Sequence, residues 1–547
     1  METKDTKASL STLPTEIADL QTMVLELNQK KVEMAKNYEV ENKILRERIR
    51  QLEHQLYGRK SEKLSLDDGF SQPHLFSADE DEQAAPPEPQ SVEEITIPSH
   101  KRKKRGRKKL SADLPRVEVV HDLGETEKQC GCGHEMSCIG QEVSEQLEMV
   151  PARFWVLRHV RPKYACKHCE GVEKKEDDPT VKIAPVPPQL LPRTISTPGL
   201  LSHILVSKFC DSLPFYRQEQ QFKRLGFDLC RATMCNWAIK VAEKCSRLLE
   251  LLYHEVLSGP LINIDETSFQ VLRESGREVD SKSHMWVMRG GPPGKEGVVY
   301  HYAINRSSSV ASDLLAGYQG YVQTDGYSAY SFLDRRDGIV HVACWAHVRR
   351  KFMDVLKVLK NKPKGLGKAD EAIRYITRLY DIEQKARKNG LNPDQLHKER
   401  QLKAKSILGD FEVWLKKLAP LTPPKSKLGI AVNYTLGQWH RLIRYIDDGI
   451  IRMDNNLAEN AIRPFVVGRK NWLFFEQPGG AEAGATLYSL IESAKANRLE
   501  PYKYFYYIFD KLPLVESDEQ VKALLPMNLD IDTLESHQKQ YRERWKI

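Results

Sequence analysis

The sequence predicts a multidomain α+β protein, and three observations carry that expectation. At 547 residues, 40% hydrophobic and 29% charged, the chain is too long for one hydrophobic core. A long helical periodicity near the N-terminus gives way to a strand-rich stretch between 261 and 344. A further helical stretch then separates those strands from a polar, acid-bearing segment at 454–475. No uninterrupted apolar run approaches the length of a membrane helix, and Met1-Glu2-Thr3-Lys4-Asp5 opens no signal-peptide pattern. The expectation is a cytoplasmic protein with no membrane association.

In chain order, residues 13–63 are expected to form a leucine-zipper-like coiled coil. Leu20, Val24, Leu27, Met34, Leu45 and Leu52 fall on a heptad seam with Ile49 and Leu56 beside it, and no glycine or proline interrupts the run between Pro14 and Gly58. Lys31, Glu41 and Arg48 occupy core slots of that seam, so a charged helix packed on its own chain is the alternative to a homo-oligomer.

Residues 64–113 read as a disordered linker with a basic arm. The linker carries Asp79-Glu80-Asp81-Glu82 and Ala85-Pro86-Pro87-Glu88-Pro89, a composition unable to bury enough surface to order itself. The arm holds Lys101, Arg102, Lys103, Lys104, Arg105, Arg107, Lys108 and Lys109 without an acid. The chain has 83 basic and 75 acidic residues, so the formal charge of +8 resides in these eight and the remainder balances at 75 against 75. The basicity is therefore local, as in a tethered polyanion-binding arm. Gly106 lets its backbone approach an A·T minor groove, and a nonspecific phosphate-binding tail is the alternative.

Residues 114–178 read as a small β-rich zinc-finger module. Cys130 and Cys132 precede Cys166 and Cys169, and two such pairs supply four thiolates to one tetrahedral structural zinc. The single residue between Cys130 and Cys132 is tighter than usual, so Cys138 or His134 can replace a ligand; unmetallated thiols are the alternative. Residues 154–157 and 163–165 have strand character. Cys210, Cys230, Cys235, Cys245 and Cys344 are scattered and read as buried small hydrophobes.

Residues 179–258 are expected to form a proline-rich linker followed by a helix-turn-helix-like region. One helix ends near Leu225, Gly226-Phe227-Asp228 turns the chain, and a second begins at Arg231. That spacing offers Arg231, Thr233 and Asn236 to DNA, the alternative being two packed helices and a short turn.

Residues 259–345 give strands at 261–265, 284–289, 297–303, 320–325 and 338–344, with a helix near 308–316. Three strands in meander, a helix and further strands describe the first part of a ribonuclease H-like α/β core, in which the first and fourth strands are neighbours. Asp265 ends the first and Asp325 the fourth, so both carboxylates can share a divalent ion. Taken singly, each is equally a strand-end turn residue. Residues 346–453 form a helical insertion with Ile373, Ile376 and Leu379 as one apolar stripe and Trp414 and Trp439 as anchors. His347 and Arg350, on one side of its first helix, are placed to meet a DNA backbone.

Residues 454–475 complete the core with a third acid, Glu459, in the first turn of a helix capped by Asn455 or Asn456. Arg463 follows one turn later, Pro464 is expected to end or kink the helix, and Arg469 and Lys470 are placed to hold phosphates. Asp454, Glu266 and Glu492 are alternative acids. Residues 476–547 read as a C-terminal helical region. Three acids around two magnesium (or manganese) ions suit phosphodiester chemistry, because hard cations prefer carboxylate oxygens.

With these residues in view, the sequence resembles the transposases of the insertion-sequence-66 family, bacterial DDE transposases. The resemblance runs through residues 56–64, the cysteine module, Ile264-Asp265-Glu266-Thr267, Gln323-Thr324-Asp325-Gly326-Tyr327 and Cys344-Trp345-Ala346-His347. It continues through residues 454–474, its most specific block, and on to Tyr502. It implies a triad of Asp265, Asp325 and Glu459, binding to terminal inverted repeats, and Mg-dependent cleavage and strand transfer. It also implies partnership with double-stranded DNA and accessory transposition proteins. A non-catalytic DNA-binding protein on a transposase scaffold, and a ribonuclease H-like nuclease without strand transfer, are the rival readings.

Overall fold

The computed structural model describes residues 21, 24–35, 38, 42, 154–165, 181–358 and 367–545. The basic arm and Cys130, Cys132, Cys166 and Cys169 lie outside them. Residues 24–35 are helical (α1), and the seam residues Val24, Leu27 and Met34 are exposed. Residues 154–157, expected as a strand, are irregular and exposed at three of four positions. Strand β1 (Lys163–Ala165) is present. It pairs antiparallel with β2 (Val181–Ile183), in the segment expected to be linker.

Four helices follow: α2 (Pro198–Phe209), α3 (Phe215–Arg224), α4 (Arg231–Lys244) and α5 (Ser246–Leu257). They bury Leu201, Leu205, Phe222, Trp237, Leu248 and Leu252 in one core shared with the sheet. Cys245 and Cys344 are buried as expected, but Cys230 and Cys235 are exposed: Cys230 stands before the first residue of α4, and the helix turns Cys235 away from its Met234–Trp237–Val241 face.

The sheet contains β3 (Leu261–Val271), β4 (Lys282–Gly290), β5 (Gly297–Ala303), β6 (Gly320–Thr324) and β7 (Ile339–Ala343), in the order β5-β4-β3-β6-β7. The first three strands are antiparallel neighbours, and β3, β6 and β7 run parallel. Helix α6 (Ser308–Leu314) makes the crossover to β6. β3 runs six residues past its expected end at Asp265, since residues 266–270 keep pairing with β4.

The insertion comprises α7 (Trp345–Val358), α8 (Lys368–Lys388), α9 (Pro393–Glu399), α10 (Lys405–Leu418), α11 (Lys427–Gly437) and α12 (Trp439–Leu442). It has its own core, in which Trp345, Phe411 and Trp439 pack ring against ring with Ile376 and Leu379. Helix α13 (Asn456–Trp472) then returns to the sheet, and β8 (Phe474–Phe475) adds to β3. Pro464 does not end α13. The N–H that proline lacks would have bonded the carbonyl of Asn460, an exposed residue, while Ala461, Ile462 and Phe465 anchor the helix in the core on either side of it.

Helix α14 (Pro478–Ala496) covers the outer edge of β5. Ser489 and Ser493, one turn apart, accept hydrogen bonds from the N–H groups of Tyr300 and Val298 at 2.8 Å each, so the edge strand offers few unpaired donors there. Helices α15 (Pro501–Lys511), α16 (Asp518–Ala523) and α17 (Ile531–Trp545) end the chain.

Candidate active site

β3 pairs with β6 from Leu261↔Tyr321 to Asn263↔Gln323, a constant offset of 60 residues. Carried forward two positions, that offset sets Asp265 level with Asp325 on strands about 5 Å apart. β6 stops at Thr324 and β8 joins β3 only at Gln270, so between them one edge of β3 is open, with Asp265 at its start. Asp265 accepts a 2.9 Å hydrogen bond from the Glu266 N–H, and Asp325 a 2.8 Å bond from the Tyr327 N–H, which closes a turn over Gly326. A side chain at Gly326 would collide with the Tyr434 ring, so the insertion packs directly on this turn.

α13 crosses the open edge. Asn455 precedes its first residue, but its side chain caps nothing. Instead its oxygen accepts from Asn263 Nδ2 at 2.9 Å and its own Nδ2 donates to the Ile264 carbonyl at 3.0 Å. Asn263 also donates to Gln323 Oε1 at 2.8 Å, and Gln323 to the Arg452 carbonyl at 2.7 Å. Asn263 and Gln323 stand two residues before Asp265 and Asp325, and so on the same strand faces. A buried amide network thus ties both strands to the start of α13, one turn before Glu459.

Glu459 is half-buried. Arg350 Nη2 lies 3.2 Å from its Oε2, and His347 Nδ1 lies 3.7 Å from its Oε1. That second separation is longer than a hydrogen bond, and both atoms are buried without a hydrogen-bonding partner. Cys344, His347 and Glu459 offer donor atoms within 4.8 Å of one another. The Cys344 thiol accepts from the Asn455 N–H at 3.1 Å, and burial pushes it up to about 12, so it stays protonated.

Among the described residues Cys344, His347 and Glu459 are the donors found within 4.8 Å of one another, and Asp265 and Asp325 are not in that cluster; the three acids act on one another through charge. Burial first, then the charges of Glu266 and Asp325, and to a lesser degree Glu459, hold Asp265 well above the usual carboxylate range. Among the described residues no cation contacts Asp265. The other acids considered from sequence are committed elsewhere. Glu266 turns to the opposite face, where Tyr330 and Arg306 occupy its two oxygens. Asp454 accepts from the Asn456 N–H at 3.2 Å, and Glu492 pairs with Lys495 at 2.8 Å. The partnerless Glu459 Oε1 and an Asp265 carboxyl raised by burial and by its neighbours' charges are oxygen donors of the kind that hard divalent cations accept.

The DNA-contact candidates divide. Arg463 lies one turn beyond Glu459 on α13, Arg469 reaches Thr267 on β3 at 3.3 Å, and Lys470 is exposed. His347 and Arg350 face Glu459. At the start of α4, Arg231 and Asn236 are exposed, Arg231 lies over the Tyr216 ring at 5.8 Å, and the Thr233 hydroxyl bonds Cys230 Sγ at 3.2 Å. Sequence reasoning missed Arg306, which stacks on Tyr327 at 3.5 Å and lies 4.0 Å from Asp325. It also missed Asn263 and Gln323, whose signal was a polar residue inside each of two otherwise apolar strands.

Comparison with known proteins gives the chain a family. Residues 193–483 match the profile described as "Transposase IS66 family", and residues 127–170 that of the "zinc-finger binding domain of transposase IS66". Residues 44–119 match "Transposase C of IS166 homeodomain", and residues 489–527 the "IS66 C-terminal element". Two Sinorhizobium fredii proteins, "Uncharacterized protein y4jD" and "Uncharacterized protein y4qI", are each 32% identical. The first alignment covers 77% of this chain and 82% of the relative; the second covers 79% of each. The matched profile spans more than half of the chain, and with these relatives it establishes that the protein belongs to the IS66 family of transposases.

Proposed function

We propose that this protein is the DDE transposase of a bacterial insertion sequence, binding the element's terminal inverted repeats and catalysing metal-dependent cleavage and strand transfer. The reading is carried by the register that sets Asp265 level with Asp325 at the open edge of β3, and by the buried amide network that ties both strands to the start of α13, one turn before Glu459. The sheet order, three antiparallel strands followed by two parallel ones, supports a ribonuclease H-like core.

In this reading Asp265, Asp325 and Glu459 would hold two Mg²⁺ or Mn²⁺ ions. When bound, such ions supply an activated water or 3′-hydroxyl and a stabilised leaving oxygen. The chain's own groups do the positioning. The Asn263–Gln323–Asn455 network fixes the separation between strands and helix, and Arg350 orients Glu459 with His347 standing beside it. Arg463, Arg469 and Lys470 lie along α13 to take successive phosphates. Cys130, Cys132, Cys166 and Cys169, all inside the matched zinc-finger segment, would hold one structural zinc. The basic arm and the start of α4 add DNA contacts, and the zipper segment joins copies so that two ends meet. Accessory transposition proteins, and a cytoplasmic location on the nucleoid, belong to the same proposal. Among the described residues no helix is long and apolar enough to cross a membrane.

The test uses duplexes carrying the inverted repeats that flank the gene. Wild-type protein is expected to nick them at the element end with Mg²⁺ and to join that end to a second duplex. Asp265→Asn, Asp325→Asn and Glu459→Gln should bind and not nick. Undiminished nicking in all three rejects the triad. Binding without nicking by wild type favours a non-catalytic DNA-binding protein, and nicking without joining a plain nuclease.

A further inference from the structure

At the end of α13, Leu473 adopts φ 67° and ψ −54°, the rare and strained γ-turn region that a leucine seldom occupies. Its side chain is 64% exposed, and that of the next residue, Phe474, 42%. This is not a loose tip. The Leu473 N–H donates to the Arg469 carbonyl at 2.7 Å, and β8 pairs with the far end of β3 through Gln270↔Phe474 and Val271↔Phe475. Phe475 is buried against Trp472, Phe269 and Phe465 at ring separations of 4.5, 5.7 and 6.5 Å. A rigid aromatic base therefore holds two large apolar side chains in water. A turn alone would be served better by glycine or asparagine at position 473.

The surroundings say what covers this pair. Arg463, Arg469 and Lys470 lie on α13 between it and the candidate active site, and the nearby acid Glu476 is engaged by Arg273 at 3.1 Å. Leu473 is fourteen helical residues from Glu459, about 21 Å along α13. Phe474 pairs five residues beyond Asp265, about 17 Å along β3. At 3.4 Å per base pair both paths equal roughly five to six base pairs of duplex. Apolar side chains flanked by cations are the means by which proteins part base steps from the minor groove.

We propose that Leu473 and Phe474 form a wedge that enters the DNA of the element end about five to six base pairs from the cleaved phosphodiester, opening a base step while Arg469 and Lys470 hold the flanking phosphates. The inference rests on the transposase reading above and deepens it by assigning a base-contacting surface.

The test is a scan of 2-aminopurine through the first ten positions of a duplex carrying the flanking inverted repeat, bound by the full chain in Ca²⁺ so that no cleavage follows. Wild type is expected to raise fluorescence several-fold at one or two adjacent positions near the fifth. Leu473→Gly, which removes the side chain and relieves its backbone, and Phe474→Ala should abolish that rise while gel-shift affinity falls less than tenfold. A flat scan by bound wild-type protein overturns the wedge and leaves the transposase reading intact. So does a rise that survives both substitutions, or a change of oligomeric state in Leu473→Gly that assigns the surface to a second copy. Absence of any gel shift by wild type overturns the transposase reading itself.

Discussion

Two regions of this molecule bury charge in opposite ways. In the helical insertion, Arg400 is 1% exposed and every guanidinium N–H is used. Nε and Nη2 grip Glu383 at 2.9 and 2.8 Å. Nη1 donates to the carbonyls of Tyr445 and Asp448 at 2.6 and 2.7 Å, and Nη2 also to that of Ile451 at 2.8 Å. At the open edge of β3, by contrast, Asp265 meets only like charge beyond one backbone N–H, and Glu459 keeps one buried oxygen orphaned. The first arrangement is complete and serves to fold the chain back toward Asp454. The second is incomplete, and incompleteness at the end of a rigid sheet is how a site prepared for a ligand differs from a structural ion pair.

The contrast predicts opposite responses to substitution. The largest effect is expected on chemistry: Glu459→Gln should slow end cleavage on the order of 10³-fold or more, with the urea midpoint unmoved. A lowered midpoint would place Glu459 with Arg400 among structural charges. Next, Arg400→Met should cost about 3–5 kcal/mol of stability, because it strands Glu383 and three carbonyls, and a change below about 1 kcal/mol would erase the distinction.

A third test uses pH. Burial, then the charge of Arg441, hold His341 down to about 4, while its ring bonds Asp334 at 3.0 Å and Thr324 at 2.9 Å. Its native value lies below the unfolded one near 6.5, so the unfolded chain binds the extra proton. Stability is therefore full above pH 6.5 and lost as pH falls toward 4, by about 3 kcal/mol in all. His341→Asn should flatten that limb of the pH–stability curve, and an unchanged limb would remove His341 as its source.

The smallest effect has the opposite sign. Asp265 is raised in the native state, so its ionised form weakens the fold above that raised value and the penalty disappears as pH falls below the ordinary value near 3.8. Asp265→Asn should stabilise the fold at neutral pH, the gain shrinking on acidification, where Arg400→Met loses stability at every pH. A loss at position 265 would mean its charge is compensated.

Much of the sheet was legible because strands announce themselves locally. The five apolar runs beginning near 261, 284, 297, 320 and 338 became β3 to β7, and the adjacency of first and fourth strands followed from their order. What was not legible is nonlocal. Arg400 reaches partners 17 to 51 residues away, and nothing in its neighbours marks it as buried. Asn455 looked like a helix cap because caps are judged by adjacent sequence, whereas its partners Asn263 and Ile264 lie about 190 residues upstream. Pro464 looked like a stop because sequence does not show whether the carbonyl a turn earlier faces water. The closeness of His347 to Glu459 was not legible, because it depends on how the whole insertion folds.

The convergence of three acids on shared cations is tested most directly by loading the DNA-bound protein with Fe²⁺ in place of Mg²⁺ and letting ascorbate and peroxide cut the chain where iron sits. Cuts clustered near residues 265, 325 and 459, suppressed by excess Mg²⁺ and lost together in Asp325→Asn, are the expected result. Cuts that spare the region of residue 459, or that ignore Mg²⁺, would contradict it.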